Sequence, residues 1–474
     1  MLQLFASLTE CSVLGNPGSG CSTFLRTIGN DHASFLGIKG SINYSGLSPQ
    51  EVSKHFRGSV AYIPEDDTHL PTLTVRQTLE FALENKTPKR CLHEIPRFLA
   101  EFGRVFGMNH VMNTLVGNEY IRGVSGGERK RVSILESLAS DSSVNAWDGS
   151  TRGLDSSSAV DYIRSLRMMT DSCDRATIVS IYQASDAIYN LMDKVMLIDQ
   201  GRMLYQGPAN NAEEYFYSLG YQRLGRQTMS DFLTSITSGD VETIRKGYEN
   251  RAPRGAVNLE QAFRASEAFK NVQHEIRQYE AEFQPSSITS SRSQAPSNRS
   301  ETTLSEFKQR FEHQKSKYVS PHSSYNTSFF RQAVLCSKRE MWQFKGHMAP
   351  FITKLSCIVV CAFLLGSMFY KMPSNTDGVY SRGGFSFYSA ALVAWFQLAE
   401  LETAFFDRAV VSRQKRYAMV RPSAVVIGKA VFDVVTVLIQ SVVYSLIAYF
   451  LSGMRLDVSG YNPGSSCTIK TNYR

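Results

Sequence analysis

Residues 15–23 read Gly-Asn-Pro-Gly-Ser-Gly-Cys-Ser-Thr. Glycine lets backbone N–H groups wrap a phosphate because no Cβ stands in the way, and a helix starting behind the loop adds positive potential. Gly15, Gly18, Ser19 and Gly20 fit the phosphate-binding spacing G-x-x-x-x-G-K-[ST] everywhere except at the lysine, where Cys21 stands. Ser22 takes the place of the hydroxyl that ligates Mg²⁺, and Thr23 follows it. On these residues alone, a plain strand-to-helix turn explains the glycines equally well. A second run, Val124-Ser125-Gly126-Gly127-Glu128, puts a serine three residues before a glutamate. That spacing is a capping box, and a helix start with two glycines also exposes several donors to an anion.

The elements that position these loops follow from the flanking patterns. Ser12-Val13-Leu14 reads as the end of a strand, and Phe24, Leu25 and Ile28 as the first turns of a helix. Val132, Leu135 and Leu138 continue at helical spacing behind Glu128. The first fourteen residues are moderately apolar, but they contain Glu10 and lack a basic flank, so they read as a strand and not as a cleavable leader.

Beyond residue 345 the chain changes character. Three apolar stretches, 351–370, 385–406 and 424–451, each meet the ~20-residue length a bilayer requires, and they predict three membrane-spanning helices. The loop 407–423 carries Arg408, Arg413, Lys415, Arg416 and Arg421, whereas 371–384 carries only Lys371 and Arg382. By the positive-inside bias the first part of the chain and the 407–423 loop are cytoplasmic. The net charge of +8 is thereby explained without nucleic acid. Eight cysteines in 474 residues are too sparse for a disulfide framework and form no paired ligand motif, and the nine histidines show no metal-ligand spacing.

The order of the glycine-rich loop, Ser125-Gly-Gly-Glu128 and Trp147-Asp148-Gly149-Ser150-Thr151-Arg152-Gly153-Leu154-Asp155 resembles the nucleotide-binding domain of ABC transporters. More narrowly, cysteine for the loop lysine and the W-D-x-x-T-R-G-L-D run resemble the first such domain of fungal pleiotropic-drug-resistance transporters, the full-size ABCG type. Tyr62-Ile63-Pro64-Glu65 is similar to that family's Q-loop, with Glu65 at the glutamine position. The resemblance covers about residues 12–452. It implies an α/β P-loop NTPase fold, incomplete at its N-terminus, followed by an all-α membrane region. It also implies ATP and Mg²⁺ as cofactors and ATP-driven export of amphipathic small molecules across a plasma membrane.

Carried over by resemblance, Gly15, Gly18, Ser19, Gly20, Cys21, Ser22, Thr23, Glu65, Asp148 and Asp155 belong to the nucleotide site, with Ser22 and Asp148 on Mg²⁺ and Asp155 in the D-loop. Ser125, Gly126, Gly127 and Glu128 form the signature. The catalytic-glutamate position is Gly149 and the switch-histidine position is Tyr182. A neutral Cys21 thiol supplies no cation to the phosphates, and losing a general base alone costs ~10²–10⁴ in rate. The resemblance therefore implies a site that binds without hydrolysing, and a signature that completes the site of a second nucleotide-binding domain. That domain and the remaining membrane half are expected partners outside this chain. A non-hydrolysing regulatory subunit or an inactive truncated fragment is the alternative; a soluble P-loop kinase is disfavoured by the signature and the spans.

The expected division is a nucleotide-binding domain over 1–240 with a helical subdomain near 77–140, and a helical extension over 241–284. A Ser-rich linker over 285–325, an interfacial connecting helix over 326–349 and a partial membrane domain over 350–452 follow, leaving 453–474 as an unmatched tail. Within the spans, Asp433 is expected to face the bundle or to pair with Lys429 one turn earlier, since a mid-span aspartate costs ~2.5–3.5 kcal/mol. Glu400 and Glu402 are expected near the cytoplasmic end of the second span.

Overall fold

The computed structural model describes residues 10–173, 175–181, 184–283, 315–316, 319–320, 323–372 and 377–453. It packs as two units, Met1–Gln343 with Asp407–Gly428, and Phe344–Phe406 with Lys429–Arg474. The division does not follow the chain, because the basic 407–428 segment is anchored in the first unit: Arg413 pairs with Glu136 and Arg416 with Asp31.

The first unit is built on a six-stranded sheet of order β2-β3-β4-β1-β5-β6. Its strands are β1 (Glu10–Leu14), β2 (Val60–Ile63), β3 (Val144–Trp147), β4 (Ala176–Ser180), β5 (Lys194–Asp199) and β6 (Arg202–Pro208). The first five pair in parallel, and β6 returns antiparallel on β5. Gln200 and Gly201 both hold positive φ, 48° and 72°, as a two-residue hairpin turn demands. Both faces are covered, as parallel sheets require. Cys11, Val13, Ala146, Ile178 and Met196 pack with Leu25 and Ile28 of α1 (Cys21–Ile28) on one side. Leu14, Trp147, Val179 and Leu197 face the other side, in a core shared with α5 (Gly126–Ser140) and α6 (Ser156–Cys173).

Around the sheet lie α2 (Pro49–His55), α3 (Val75–Lys86), α4 (Ile95–Val105), α7 (Asp186–Tyr189), α8 (Ala212–Ser218) and α9 (Met229–Ser238). The stretch expected as a helical extension contains α10 (Gly255–Ala265) and α11 (Glu267–Phe283). Capping boxes start α2 at Ser48, α3 at Thr74 and α5 at Ser125. Most of the Ser-rich 285–325 stretch lies outside the described residues. Beyond it, α12 (Phe329–Gly346) buries Gln332 and Arg339 beside Leu335 and Cys336, whereas Phe330 is 78% exposed and Val334 faces outward too.

The second unit and the end of the first carry the helices of the apolar region. Among the described residues two helices are long and apolar enough to cross a bilayer, α13 (Ala349–Met368) and α16 (Pro422–Ser452), with mean hydropathy 2.0 and 2.1. The stretch 385–406 is not one span: α14 (Asp377–Gln397) stops before Leu398, and a separate helix, α15 (Ala399–Arg416), begins. Glu400 and Glu402 belong to α15. Inside this unit Ile358, Ala362, Phe385, Tyr444 and Ala448 form a core. Polar links cross it, from Lys354 Nζ to Gln397 Oε1 at 3.0 Å and from Tyr444 OH to Ser389 Oγ at 2.9 Å. A Cβ on Gly366 would lie 2.7 Å from Leu451 Cδ1, so glycine lets the two helices close.

The helical extension is bound to the sheet edge by aromatic packing. Phe263 is fully buried, with ring centroids 6.1 Å from Tyr205, 6.2 Å from Tyr215 and 5.4 Å from Phe269. Phe263→Ala is expected to cost about 3–5 kcal/mol of stability. Urea titration of detergent-solubilised chain followed by near-UV circular dichroism reads that loss as a lower midpoint.

Candidate nucleotide site

Four chain segments meet at the carboxyl ends of β1, β2, β3 and β4, the edge where open parallel sheets bind ligands. The loop after β1 is forced by its glycines. A Cβ on Gly15 would come within 2.4 Å of the Ile198 carbonyl and of Ser19 Oγ. Gly18 and Gly20 sit at φ +84° and +105°, where side chains are strained. The Ser19 N–H donates to the Asn16 carbonyl at 2.9 Å, and the Gly201 N–H donates to the Ser19 carbonyl at 2.8 Å, so the β5–β6 turn braces the loop. Asn16 Nδ2 donates to Thr237 Oγ1 and Ser238 Oγ at the end of α9. Cys21, Ser22 and Thr23 form the first turn of α1.

Cys21 Sγ lies 3.3 Å from Ser19 Oγ. Burial pushes the thiol up from its ordinary range, with the Asp148 charge adding to the shift, so it carries no charge at neutral pH. It offers a phosphate neither a cation nor a nucleophile.

Asp148, immediately after β3, is 7% exposed and accepts from three hydroxyls. Ser22 Oγ donates to its Oδ1 at 3.0 Å, Ser180 Oγ to the same oxygen at 2.9 Å, and Tyr62 OH to Oδ2 at 2.8 Å. Burial pushes the Tyr62 phenol up to about 12, so it stays a donor. Ser22 and Asp148 thus present hard oxygens side by side, the donor set that suits Mg²⁺. Sequence reasoning did not assign Tyr62 or Ser180 a role. The signal available for both was position, since each sits at or near the carboxyl end of a parallel strand.

Gly149 holds φ +51°, and its N–H donates to Ser180 Oγ at 2.7 Å. A Cβ there would meet Glu65 Cγ at 3.0 Å and Oε2 at 3.2 Å. The Glu65 carboxylate therefore lies over the residue that stands at the catalytic position, and Glu65 Oε1 pairs with Arg152 at 2.7 Å. Lys130 Nζ donates to the Glu65 backbone carbonyl at 2.6 Å. Neither Arg152 nor Lys130 was singled out from the sequence.

The signature residues are whole. Ser125 caps α5: Glu128 N–H donates to Ser125 Oγ at 3.3 Å, and Ser125 N–H donates to Glu128 Oε2 at 2.8 Å. The other Glu128 oxygen lies 2.9 Å from His110 Nε2. Glu128 stays below the usual carboxylate range: burial opposes this, and the Ser125 and His110 hydrogen bonds outweigh it. A Cβ on Gly127 would press within 3.2 Å of Ser158 Cβ, so the close approach to α6 needs the glycine, while Gly126 opens the helix. Asp155 accepts from Ser157 Oγ at 2.7 Å and from the Ser158 N–H at 3.1 Å, and these bonds hold its carboxyl well below the ordinary range. In this chain it caps the start of α6. Tyr182 lies outside the described residues.

Residues 8–152 match the family model described as ABC transporter, and residues 331–467 that described as ABC-2 type transporter. The second match runs past residue 453, where the sequence pattern had left the tail unmatched. The chain is 47% identical over 449 residues to the ABC multidrug transporter atrF of Aspergillus fumigatus, covering 95% of this chain and 28% of that protein. Against atrF of Aspergillus flavus the identity is 46% over the same shares. ABC transporter G family member 14 of Dictyostelium discoideum is 39% identical over 451 residues, 94% of this chain and 30% of its own length. The chain thus spans less than a third of the length of these relatives.

Replacing Cys21 by lysine adds a charge-assisted contact to the cradle, worth about 1.5–3 kcal/mol. Cys21→Lys is expected to tighten ATP binding about 10–100-fold, read by titration with a fluorescent nucleotide. In the unaltered chain, maleimide modification of Cys21 is expected to be slow at pH 7 and to accelerate only above pH 9, because the raised thiol pKa withholds the thiolate. Peptide mapping by mass spectrometry checks this.

Proposed function

The chain belongs to the ABC transporters, as a P-loop ATPase domain followed by a helical ABC-2 membrane region, and we propose that it serves ATP-driven export of amphipathic compounds across the plasma membrane as part of a pleiotropic-drug-resistance exporter. Its own nucleotide site holds ATP through the glycine cradle, with Ser22 and Asp148 on Mg²⁺, and does not hydrolyse it. When bound, Mg²⁺ neutralises phosphate charge. Ser22 and Asp148 would hold it, and Tyr62 and Ser180 hold the Asp148 carboxylate in place. Ser125, Gly126, Gly127 and Glu128 complete an active site whose P-loop lysine and catalytic glutamate come from a second nucleotide-binding domain.

The observation that carries this reading is the backbone at Gly149. A glutamate there would have to adopt φ +51° and push its Cβ against Glu65. The backbone there costs a side chain about 1–2 kcal/mol and crowds Glu65, so a general base at that position is disfavoured as well as missing. The signature, in contrast, keeps its capping box and both glycines.

The purified chain is expected to bind ATP and release no phosphate above background. Gly149→Glu alone leaves that result unchanged, because the neutral Cys21 thiol still supplies no cation to the phosphates. Co-expression with a complementary half bearing the lysine and glutamate brings hydrolysis, measured as phosphate release, and Ser125→Arg abolishes it. Brisk hydrolysis by the isolated chain overturns the division of roles.

A further inference from the structure

A cavity of about 170 Å³ lies between α11, the end of β6 and α8. It sits at the edge of the sheet opposite the phosphate loop. Lys194 opens β5 and Pro208 closes β6, and the two are paired in register, whereas the loop follows the carboxyl end of β1. Gln206 lines the cavity and is 1% exposed, with the buried Tyr205 and Val272 beside it. Asn211, Glu267, Asn271 and Glu275 form an exposed mouth.

Strand register turns Gln206 toward α11. It pairs with Met196, two residues beyond Lys194, and so projects from the same face of the sheet as Lys194, whose amine reaches Glu275 of α11 at 2.7 Å. Neither the Gln206 amide nitrogen nor its oxygen has a hydrogen-bond partner among the described residues. The buried Tyr215 hydroxyl, from α8, lines the same cavity and has none there either. Burial holds the Tyr215 phenol above its ordinary range, so it stays a donor. Buried polar atoms are nearly always paired, because leaving one dry and unpaired is costly. Here three such atoms border one cavity.

Their chemistry narrows what fits. A glutamine amide offers a donor beside an acceptor, and a carbonyl lying next to an N–H matches that edge with two parallel bonds. The Tyr205 and Tyr215 rings, 5.0 Å apart between centroids, supply apolar surface for a flat ring. Lys194 and Glu275 neutralise each other, and Glu267 adds negative charge at the mouth, so an anion is disfavoured. The volume falls below the ~300–1,000 Å³ of pockets that take drug-sized molecules, and suits a single ring.

We propose that this cavity is a ligand site for a compact, neutral molecule carrying a carboxamide or lactam edge on a flat ring, with Gln206 paired to that edge and the Tyr215 hydroxyl donating to an acceptor of the same molecule. It shares no residue with the phosphate loop or the signature, and stands apart from the nucleotide reading.

Nicotinamide, a carboxamide on one ring, and 2-pyridone, a one-ring lactam, are the probes, with nicotinic acid as the anionic control. Titration of the full detergent-solubilised chain, followed by saturation-transfer NMR, is expected to show saturable binding of at least one probe with a dissociation constant of about 1 mM or tighter. Nicotinic acid is expected to bind at least about tenfold more weakly than nicotinamide. Gln206→Met keeps the side-chain length and removes both amide atoms, so probe affinity falls about 10–100-fold. The melting temperature of this variant without ligand holds or rises, because an apolar chain replaces an unpaired buried amide. Tyr215→Phe removes one hydroxyl and weakens binding about 3–10-fold. If neither probe saturates, or if both variants bind as tightly as the unaltered chain, the proposal is overturned and the cavity holds water alone.

Discussion

Asp148 is a charged group taken nearly out of water, and three hydroxyls from three different parts of the chain supply what water would have given it. Tyr62 reaches it from β2, Ser180 from β4 and Ser22 from the helix that follows β1. A buried carboxylate with fewer partners would be costly, so the ends of these strands are held in one register by one charge. The same register puts the phosphate loop beside the paired Ser22 and Asp148 oxygens. The sheet is thus the support of the site, and the site in turn pins the edge of the sheet.

On the reading proposed above, two anion cradles grow from this framework with opposite chemical endowments. At the first, backbone geometry is complete and reactive side chains are missing: a neutral thiol replaces a cation, and a glycine in left-handed conformation lies under Glu65. At the second, Ser125 and Glu128 satisfy each other's backbone N–H groups, and His110 holds the remaining carboxylate oxygen. Binding and catalysis make different demands. A phosphate is held by N–H groups that any sequence with the right glycines can supply, whereas hydrolysis needs a positioned base and a positive charge. A site can lose the second set and keep the first.

Basic residues between α14 and α16 are anchored by burial: Arg413, Arg416 and Arg421 each find partners within the first unit, with Arg421 lying over the Tyr325 ring at 4.4 Å. Charge counting along the sequence treats all of these as equivalent. Packing distinguishes the arginine that is enclosed from those that are solvated.

Much of the site was legible in the sequence because it is local. The glycine spacing of 15–20, the capping box at Ser125 and the run around Asp148 each encode their backbone conformation within a few residues. Sequence also showed where the chain becomes apolar, but not that the stretch 385–406 breaks at Leu398, since a summed hydropathy hides where the polar residues fall along the helix. What tertiary structure alone decided are the partnerships between distant residues: Tyr62 and Ser180 on Asp148, Glu65 over Gly149, and Arg413 against Glu136 and His69. Spacing along a chain carries no information about which buried polar groups will satisfy one another. That is settled only when the sheet assembles and each group excluded from water takes the partner its fold brings within reach.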